Sequence, residues 1–220
     1  MNVFDIIGPV MVGPSSSHTA GAVRIGLITR HLLGSQPAVA SLLLHGSFAA
    51  TGSGHGTDKA LVAGLLGMKP DDPRIPDALA LAEQSGMAVT FGTVLLQDAH
   101  PNTVVLTVTG EEGLRLEVNA SSLGGGRVRV NAIDGMEARF NGEAPTLIIR
   151  NEDRPGEVAE VTGELSHYEV NIAVMQLYRD RRGGLAVMVI ESDQPIPEEA
   201  VSRLREKEGI VRVVYLNMEE

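Results

Sequence analysis

Cysteine is absent from the 220 residues of this chain. The chain alone therefore forms no disulfide, no thiolate nucleophile, no iron–sulfur cluster and no zinc site with cysteine ligands. Positive charge is also in deficit, because 18 Lys and Arg stand against 28 Asp and Glu and give a formal net charge of -10. A surface of that sign repels phosphate backbones, which argues against nucleic acid as a partner.

Long apolar runs are missing as well. No stretch approaches the roughly 18 apolar residues of a membrane span, and the segment Met1–Asp5 lacks the basic region of a secretory signal. We therefore predict a cytoplasmic protein with no membrane partner. Hydrophobic residues nevertheless make up 43% of the chain, which is enough for a folded core and excludes a disordered tail.

Charge density divides the chain in two. Residues 1–144 contain 22 charged side chains, whereas the much shorter segment 145–220 contains 24. Turn-forming residues lie at this change, in the segment Asn141–Pro145. The sequence thus predicts one domain over 1–144 and a second over 145–220.

The second segment alternates strand-like and helix-like runs. Pro155 is placed at the first position of its first helix, which proline favours. The predicted order is βαββαβ, with strands at 146–150, 171–177, 185–190 and 210–216 and helices at 155–167 and from Pro197 onward.

Together with the turn Asn-Glu-Asp-Arg-Pro-Gly at 151–156, this order resembles the ACT domain, a ferredoxin-like amino-acid-sensing module. The backbone N–H groups and side-chain acceptors of the turn suit the carboxylate and ammonium of a free amino acid. The alternative is that Asp153 caps a helix and Gly156 only fits a tight turn. The exposed edges of such a sheet predict self-association. The predicted ligand residues are Asn151, Asp153, Pro155, Gly156 and Asn171.

The first segment is poor in charge at its start. Residues 1–57 hold three charged side chains, which predicts a surface closed against another chain or around a small ligand. Its pattern predicts an α+β fold with a β meander whose strands are joined by hairpin turns, including 98–102, and a loop from the first strand to Thr57. The predicted helices are 20–33, 59–66 and 77–85, and the strands are 39–45, 87–97, 103–109, 114–120, 127–133 and 136–140.

Three serines, a histidine and a threonine stand together directly before the first predicted helix. The N–H groups and the positive dipole end of a helix N-terminus converge there, so this loop is suited to hold a carboxylate. Capping alone would need one hydroxyl, from Ser17 or Thr19, and that simpler role is the alternative. The residues are Ser15, Ser16, Ser17, His18 and Thr19.

A second polar loop, rich in glycine, follows the strand that ends at His45. It lacks the spacing of a P-loop or a dinucleotide fingerprint, which disfavours nucleotide binding. His45 and His55 stand at the carboxyl end of a strand, where imidazoles are natural proton acceptors at neutral pH. The alternative is that these are hydrogen-bonded histidines among turn glycines. The further candidate residues for substrate binding are Gly46, Ser47, Thr57 and Asp58.

At these two loops the chain resembles the beta chain of the two-chain, iron–sulfur-dependent bacterial L-serine dehydratases. The resemblance lies in Ser-Ser-Ser-His-Thr at 15–19, His-Gly-Ser-Phe at 45–48 and Gly-His-Gly-Thr-Asp at 54–58, and with the ACT-like segment it spans essentially the whole chain. It implies conversion of L-serine to pyruvate and ammonia, with a [4Fe–4S] cluster held by cysteines of a separate alpha chain. The absence of cysteine here agrees with that implication.

The resemblance also implies the nature of the first domain. It would be an α/β substrate-binding-type domain, similar to the allosteric substrate-binding domain of some phosphoglycerate dehydrogenases, that closes over the cluster-bearing chain. In the implied mechanism the open iron of the cluster acts as a Lewis acid on the serine hydroxyl, while the 15–17 serines hold the carboxylate and His55 removes the α-proton. His18 orients or assists, and His45 is the alternative base.

Two other functions stay open from the sequence. A non-catalytic regulatory subunit that senses serine would use the same carboxylate-binding loops but no catalytic histidine. A hydrolase using Ser47 or Ser16 would need a base and oxyanion donors, and the chain lacks the G-x-S-x-G motif that usually presents such a serine.

Overall fold

The computed structural model describes residues 10–51 and 54–218. The chain divides into two compact units, residues 1–135 and 136–220, and the domain boundary at Ala144 stays a prediction. Met1–Asp5, on which the prediction of no secretory signal depends, lies outside the described residues. Within the described ranges no helix is long and apolar enough to cross a membrane.

The described part of the first unit contains four α-helices, a short 3-10 helix (Ile75–Asp77) and a sheet, in agreement with the predicted α+β fold. A π-helical turn, Ser16–Ala20, runs directly into the first of these helices. The helices are α1 (Gly21–Leu33), α2 (Gly46–Thr51), α3 (Thr57–Leu65) and α4 (Ala78–Gln84), and the strands are β1 (Pro37–Leu44), β2 (Ala88–Thr93), β3 (Thr103–Gly110), β4 (Arg115–Gly124) and β5 (Arg127–Ile133).

Within this unit the strands lie in the order β2-β1-β3-β4-β5. Strands β3, β4 and β5 form the predicted antiparallel meander, whereas β1 and β2 are parallel. The predicted hairpin at 98–102 is wrong, because β1 lies between β2 and β3 and the chain must cross over it. The parallel pair brings the carboxyl ends of β1 and β2 to one edge of the sheet.

The predicted loop between His45 and Thr57 is also wrong in part, because helix α2 begins at Gly46. The Ser47 N–H donates a 2.8 Å hydrogen bond to the Pro101 carbonyl oxygen, and the Phe48 side chain is completely buried. Glycine, serine and threonine have low helix propensity. Tertiary contacts therefore stabilise this helix, which its local sequence does not predict.

Helices α1 and α3 cross at two glycines. A Cβ built on Gly26 would lie 2.3 Å from the Leu61 carbonyl oxygen, and one on Gly64 would lie 2.1 Å from the Val23 carbonyl oxygen. Ten of the 13 residues of α1 are buried within the chain itself. The charged side chains of α1 are Arg24 and Arg30, and both are partly exposed.

The second unit confirms the βαββαβ order, preceded by one further strand. Its helices pack against one face of an antiparallel sheet of order β10-β7-β9-β8, with Leu147, Met188 and Leu204 in the core. The elements are β6 (Met136–Phe140), β7 (Thr146–Glu152), α5 (Glu157–His167), β8 (Ile172–Arg179), β9 (Leu185–Ser192), α6 (Glu198–Arg205) and β10 (Ile210–Leu216).

Helix α5 begins at Glu157, so the prediction that Pro155 occupies its first position is wrong. Gly156, which precedes the helix, has φ of 103°, a left-handed conformation that glycine adopts without steric cost. Pro155 therefore belongs to the turn before this glycine and not to the helix.

Candidate functional site

The side chain of His18 lies at the centre of the serine-rich loop. The π-helical turn is capped by Ser15, whose Oγ accepts a 3.3 Å hydrogen bond from the His18 N–H. The ring nitrogen Nδ1 of His18 lies 3.0 Å from Ser17 Oγ and 3.4 Å from Ser15 Oγ. The two serine hydroxyls are themselves 3.3 Å apart. Two of the three predicted serines, Ser15 and Ser17, therefore face one side of the imidazole.

The other ring nitrogen of His18 faces helix α2 of the second polar loop. Nε2 lies 3.3 Å from Ser47 Oγ and 3.1 Å from Thr51 Oγ1. The Phe48 ring packs edge-on against the imidazole at 5.2 Å between centroids. The two loops that the sequence singled out thus meet at a single ring. Thr51 was not among the predicted site residues.

His55 lies beside His18, with ring centroids 5.3 Å apart. Its backbone N–H donates a 3.0 Å hydrogen bond to the Thr51 carbonyl oxygen, and the residue is exposed to solvent. Burial lowers the pKa of His18, and the neighbouring His55 lowers it further. Both effects favour the neutral form of the His18 ring. Gly52 and Ser53, which precede this segment, lie outside the described residues.

A glycine turn between β4 and β5 completes the surroundings of the serine loop. Gly124, Gly125 and Gly126 all have positive φ, and the Gly125 N–H donates a 3.2 Å hydrogen bond to Ser16 Oγ. Below it, a Cβ on Gly21 would lie 2.0 Å from Ser122 Oγ. Glycine at 21 therefore allows the first turn of α1 to approach β4 closely.

Two predicted substrate-binding hydroxyls are buried and do not face the loop surface. Thr19 Oγ1 and Thr57 Oγ1 have no hydrogen-bond partner within residues 10–51 and 54–218. The Asp58 carboxylate accepts a 2.8 Å hydrogen bond from the Lys59 N–H in the first turn of α3. Gly46 lies against Pro101, whose carbonyl oxygen would be 2.6 Å from a Cβ at that position.

His45 makes its ring contacts with the backbone after β2 and not with His18. The residue is 8% exposed, and its Nδ1 lies 3.2 Å from both the Val94 carbonyl oxygen and the Leu96 N–H nitrogen. These contacts hold the segment that follows β2 against the end of β1. A role for His45 as a base stays an untested prediction.

The predicted ligand residues of the second unit are not all close together. Asn151 is buried, and its Oδ1 has no hydrogen-bond partner among the described residues. Asp153 accepts a 2.9 Å hydrogen bond from the Gly183 N–H, which lowers the pKa of the carboxyl group. Asn171 pairs with Asp193 beyond the far end of α5, which at about 1.5 Å per residue is some 16 Å long.

The residues of this chain do not fit an iron–sulfur cluster. Such clusters are held by cysteine thiolates, and the sequence has no cysteine. No group of three or more His, Asp or Glu side chains in the described ranges is arranged to hold a metal ion. What the site offers is a set of hydroxyl groups around the imidazole of His18, with the imidazole of His55 beside it.

Fold and site together define a two-unit chain in which an α+β unit, bearing serines and histidines at one edge of its sheet, precedes a ferredoxin-like βαββαβ unit. The family model for the serine dehydratase beta chain matches residues 2–86, and the model for the ACT domain matches residues 145–209. The chain is 41% identical over 98% of its length to "Probable L-serine dehydratase, beta chain" of Bacillus subtilis (strain 168), of which it covers 97%. The chain belongs to the family of serine dehydratase beta chains.

Two further relatives extend this comparison. "L-serine dehydratase, beta chain" of Peptoniphilus asaccharolyticus is 35% identical over 99% of this chain and 98% of its own length. "D-3-phosphoglycerate dehydrogenase" of Methanocaldococcus jannaschii is 37% identical over 86 residues, which are 39% of this chain and 16% of that enzyme. The match to this dehydrogenase agrees with the sequence analysis, which indicated that the first domain is similar to a domain of some phosphoglycerate dehydrogenases.

Proposed function

We propose that this chain is the beta subunit of a cytoplasmic L-serine dehydratase that works with a cysteine-containing alpha subunit. The reaction removes water from L-serine, and hydrolysis of the product releases pyruvate and ammonia. The observation that supports this most is the meeting of two distant loops at His18, whose ring contacts hydroxyls of both loops and lies beside His55. The names of the two full-length relatives support the same reaction.

The serine loop is the proposed holder of the substrate carboxylate. Ser16 and its neighbours lie in the turn that leads into α1, where the N–H groups and the dipole of a 13-residue helix favour an anion. The charged side chains between residues 10 and 57 are Arg24 and Arg30, and both lie in α1. The serine loop itself has no charged side chain, so the donors that it offers to a carboxylate are neutral hydroxyl groups. Hydrogen bonds from such donors orient a carboxylate without neutralising it.

His55 is the proposed base that removes the α-proton of serine. It is exposed and reaches the site from the segment after α2, whereas both ring nitrogens of His18 are already close to hydroxyls. Burial lowers the pKa of His18, which makes this ring a poorer proton acceptor than a free imidazole. His18 then orients its surrounding hydroxyls.

The proposed cluster belongs to the alpha subunit, since every ligand for it must come from outside this chain. We expect the isolated chain to fold but to form no pyruvate from serine. The measurement is reconstitution of this chain alone with iron and sulfide under anaerobic conditions, followed by a pyruvate assay. The control adds the cysteine-containing partner before the same treatment. Pyruvate formation by the chain alone would refute the two-chain proposal.

The second unit is the proposed amino-acid-sensing and self-associating module. The turn at Asn151 and Gly156 precedes an 11-residue helix, and the unpaired Asn151 oxygen is the acceptor proposed for a ligand ammonium group. Strands β10 and β8 form the two edges of the sheet, and exposed edges commonly pair with another copy. Serine and a monovalent cation are the two proposed effectors.

Self-association is expected to involve the β10 edge, where Val211 is 56% exposed. The full chain should sediment as a dimer or larger, and Val211→Lys should shift it toward the monomer because a charge on an edge strand opposes pairing. Leu95→Lys is the matched control, since Leu95 is 91% exposed in the first unit. A wild-type chain that stays monomeric at high concentration in sedimentation equilibrium would contradict the proposal.

A further inference from the structure

The hydroxyl of Thr51 has one hydrogen and two polar neighbours, the Ser47 carbonyl oxygen and His18 Nε2. Thr51 Oγ1 donates a 2.8 Å hydrogen bond to the carbonyl oxygen of Ser47, four residues earlier in α2. A carbonyl oxygen can only accept, and this contact is shorter than the 3.1 Å contact with His18 Nε2, so the hydrogen of Thr51 is placed on it. Thr51 therefore has only lone pairs left for its second partner, His18 Nε2, at 3.1 Å. Nε2 must carry the hydrogen of that contact.

The protonation of Nδ1, on the opposite side of the imidazole, follows from the hydrogen on Nε2. A neutral imidazole with hydrogen on Nε2 has a lone pair on Nδ1. Ser17 Oγ at 3.0 Å is closer to Nδ1 than Ser15 Oγ at 3.4 Å, so Ser17 is the donor that the geometry favours for this lone pair. Because the hydrogen of Ser17 is used in this way, its 3.3 Å contact with Ser15 has Ser15 as the donor. The bonds run in one direction from Ser15 through Ser17 and His18 to Thr51.

We propose that Thr51 is a positioning residue that fixes the ring of His18 as the Nε2–H tautomer. This tautomer decides which hydroxyls can serve a ligand. Ser47 Oγ, 3.3 Å from Nε2, accepts from the ring, and Ser16 Oγ accepts from the Gly125 N–H. Neither of these two hydroxyls donates its hydrogen to another described residue, so they are the donors to the substrate carboxylate. This last step rests on the proposed function, whereas the tautomer does not.

The tautomer is measurable in the full chain without partner or substrate. Nitrogen-15 ring shifts separate a protonated ring nitrogen from an unprotonated one, and a His18→Gln variant assigns the signal. We expect wild-type His18 near neutral pH to show a protonated Nε2 and an unprotonated Nδ1. Thr51→Val should add a share of the Nδ1–H form, and Thr51→Val combined with Ser47→Ala should make that form dominant.

Two controls separate this effect from a general loss of structure. Thr51→Ser keeps the hydroxyl and should restore the wild-type ring shifts. Thr162→Val removes the same four-residue hydroxyl bond in α5, 2.8 Å from Thr162 Oγ1 to the Val158 carbonyl oxygen, and should leave His18 unchanged. A wild-type ring protonated on Nδ1, or a double variant that stays wholly Nε2–H, would overturn the proposal. The wild-type spectrum alone decides if the valine variant does not fold.

In the two-chain enzyme, Thr51→Val should lower kcat by at least about tenfold, a small part of the ~10⁴-fold loss that a wrong histidine tautomer causes in serine proteases. Thr51→Ser should recover the rate. An Nε2–H ring together with an inactive wild-type complex would refute the proposed function and leave the tautomer intact. An active complex whose His18 is protonated on Nδ1 would refute the tautomer and leave the proposed function intact.

Discussion

Replacing His55 with alanine is expected to lower kcat of the reconstituted two-chain enzyme by about 10²–10⁴, the usual contribution of a general base. His55 is exposed beside His18, and its removal takes away the proposed proton acceptor while leaving the hydroxyls around His18 in place. Binding of serine should therefore change little. The measurement is steady-state pyruvate formation over a range of serine concentrations, which separates kcat from KM.

Ser16→Ala serves as the contrast to His55→Ala. Loss of one hydroxyl donor to a carboxylate should weaken serine binding by about 1–3 kcal/mol and affect KM more than kcat. His18→Ala should lie between the two, because it disturbs Ser17 and Ser47 together. His167→Ala is the matched control in the second unit, where its ring packs edge-on against Tyr168.

A kcat for His55→Ala within two- or threefold of the parent, far below the contribution of a general base, would remove His55 as the base and transfer the role to His18 or His45. If the wild-type complex itself has no dehydratase activity and His55→Ala leaves serine affinity and the response to serine unchanged, the result would instead support the regulatory sensor. The same pair of measurements thus distinguishes the catalytic subunit from the sensing subunit.

Gly64→Val is expected to destabilise the first unit by about 3 kcal/mol, the upper end of the usual cost of overpacking. A Cβ at this position would lie 2.1 Å from the Val23 carbonyl oxygen and 2.8 Å from Gly26 Cα, both backbone atoms of α1. Neither can move aside without separating α1 from α3. Since α1 follows directly on the turn that carries His18, the substitution should also disturb the site.

Gly163→Ala is the control for this substitution. Gly163 also lies inside a helix, α5, but a Cβ there meets no heavy atom within 4 Å. Alanine should therefore stabilise the second unit by about 0.5–1 kcal/mol through helix propensity. Urea unfolding followed by far-UV circular dichroism reports both units, while the three tyrosines all lie after residue 144 and report the second. A Gly64→Val chain as stable as the parent would show that α1 and α3 are not packed as described.

The order of elements in the second unit could be predicted because each element carries its own local signal. Val161 and Leu165 repeat at helical spacing, and the Gly183-Gly184 turn joins two β-rich runs. The start of α5 was misplaced because proline favours a first helical position in general, whereas here the left-handed Gly156 intervenes. Helix α2 was missed because its residues form a helix only against Pro101 and with Phe48 buried.

The residues of the candidate site also fall into two groups, those that could be predicted from the sequence and those that needed the structure. His18, His55 and the serines could be named from residue type and from their position beside a predicted helix or strand. Thr51 could not, because its four-residue spacing from Ser47 has meaning only once α2 is known to be a helix. His45 stood in an equally polar loop, yet the structure directs its ring to the backbone of Val94 and Leu96.

Residue types and local patterns were enough to define the chemistry available to this chain and the order of its secondary structure, since both depend on near neighbours in the sequence. The grouping of hydroxyls around one imidazole depended on the path of the chain. His18 meets Thr51 across 33 positions, and Ser16 meets Gly125 across 109. Such contacts arise from the packing of α1 against α3 and β4, and hydrogen bonds of about 3 Å are too short to be inferred before that packing is known.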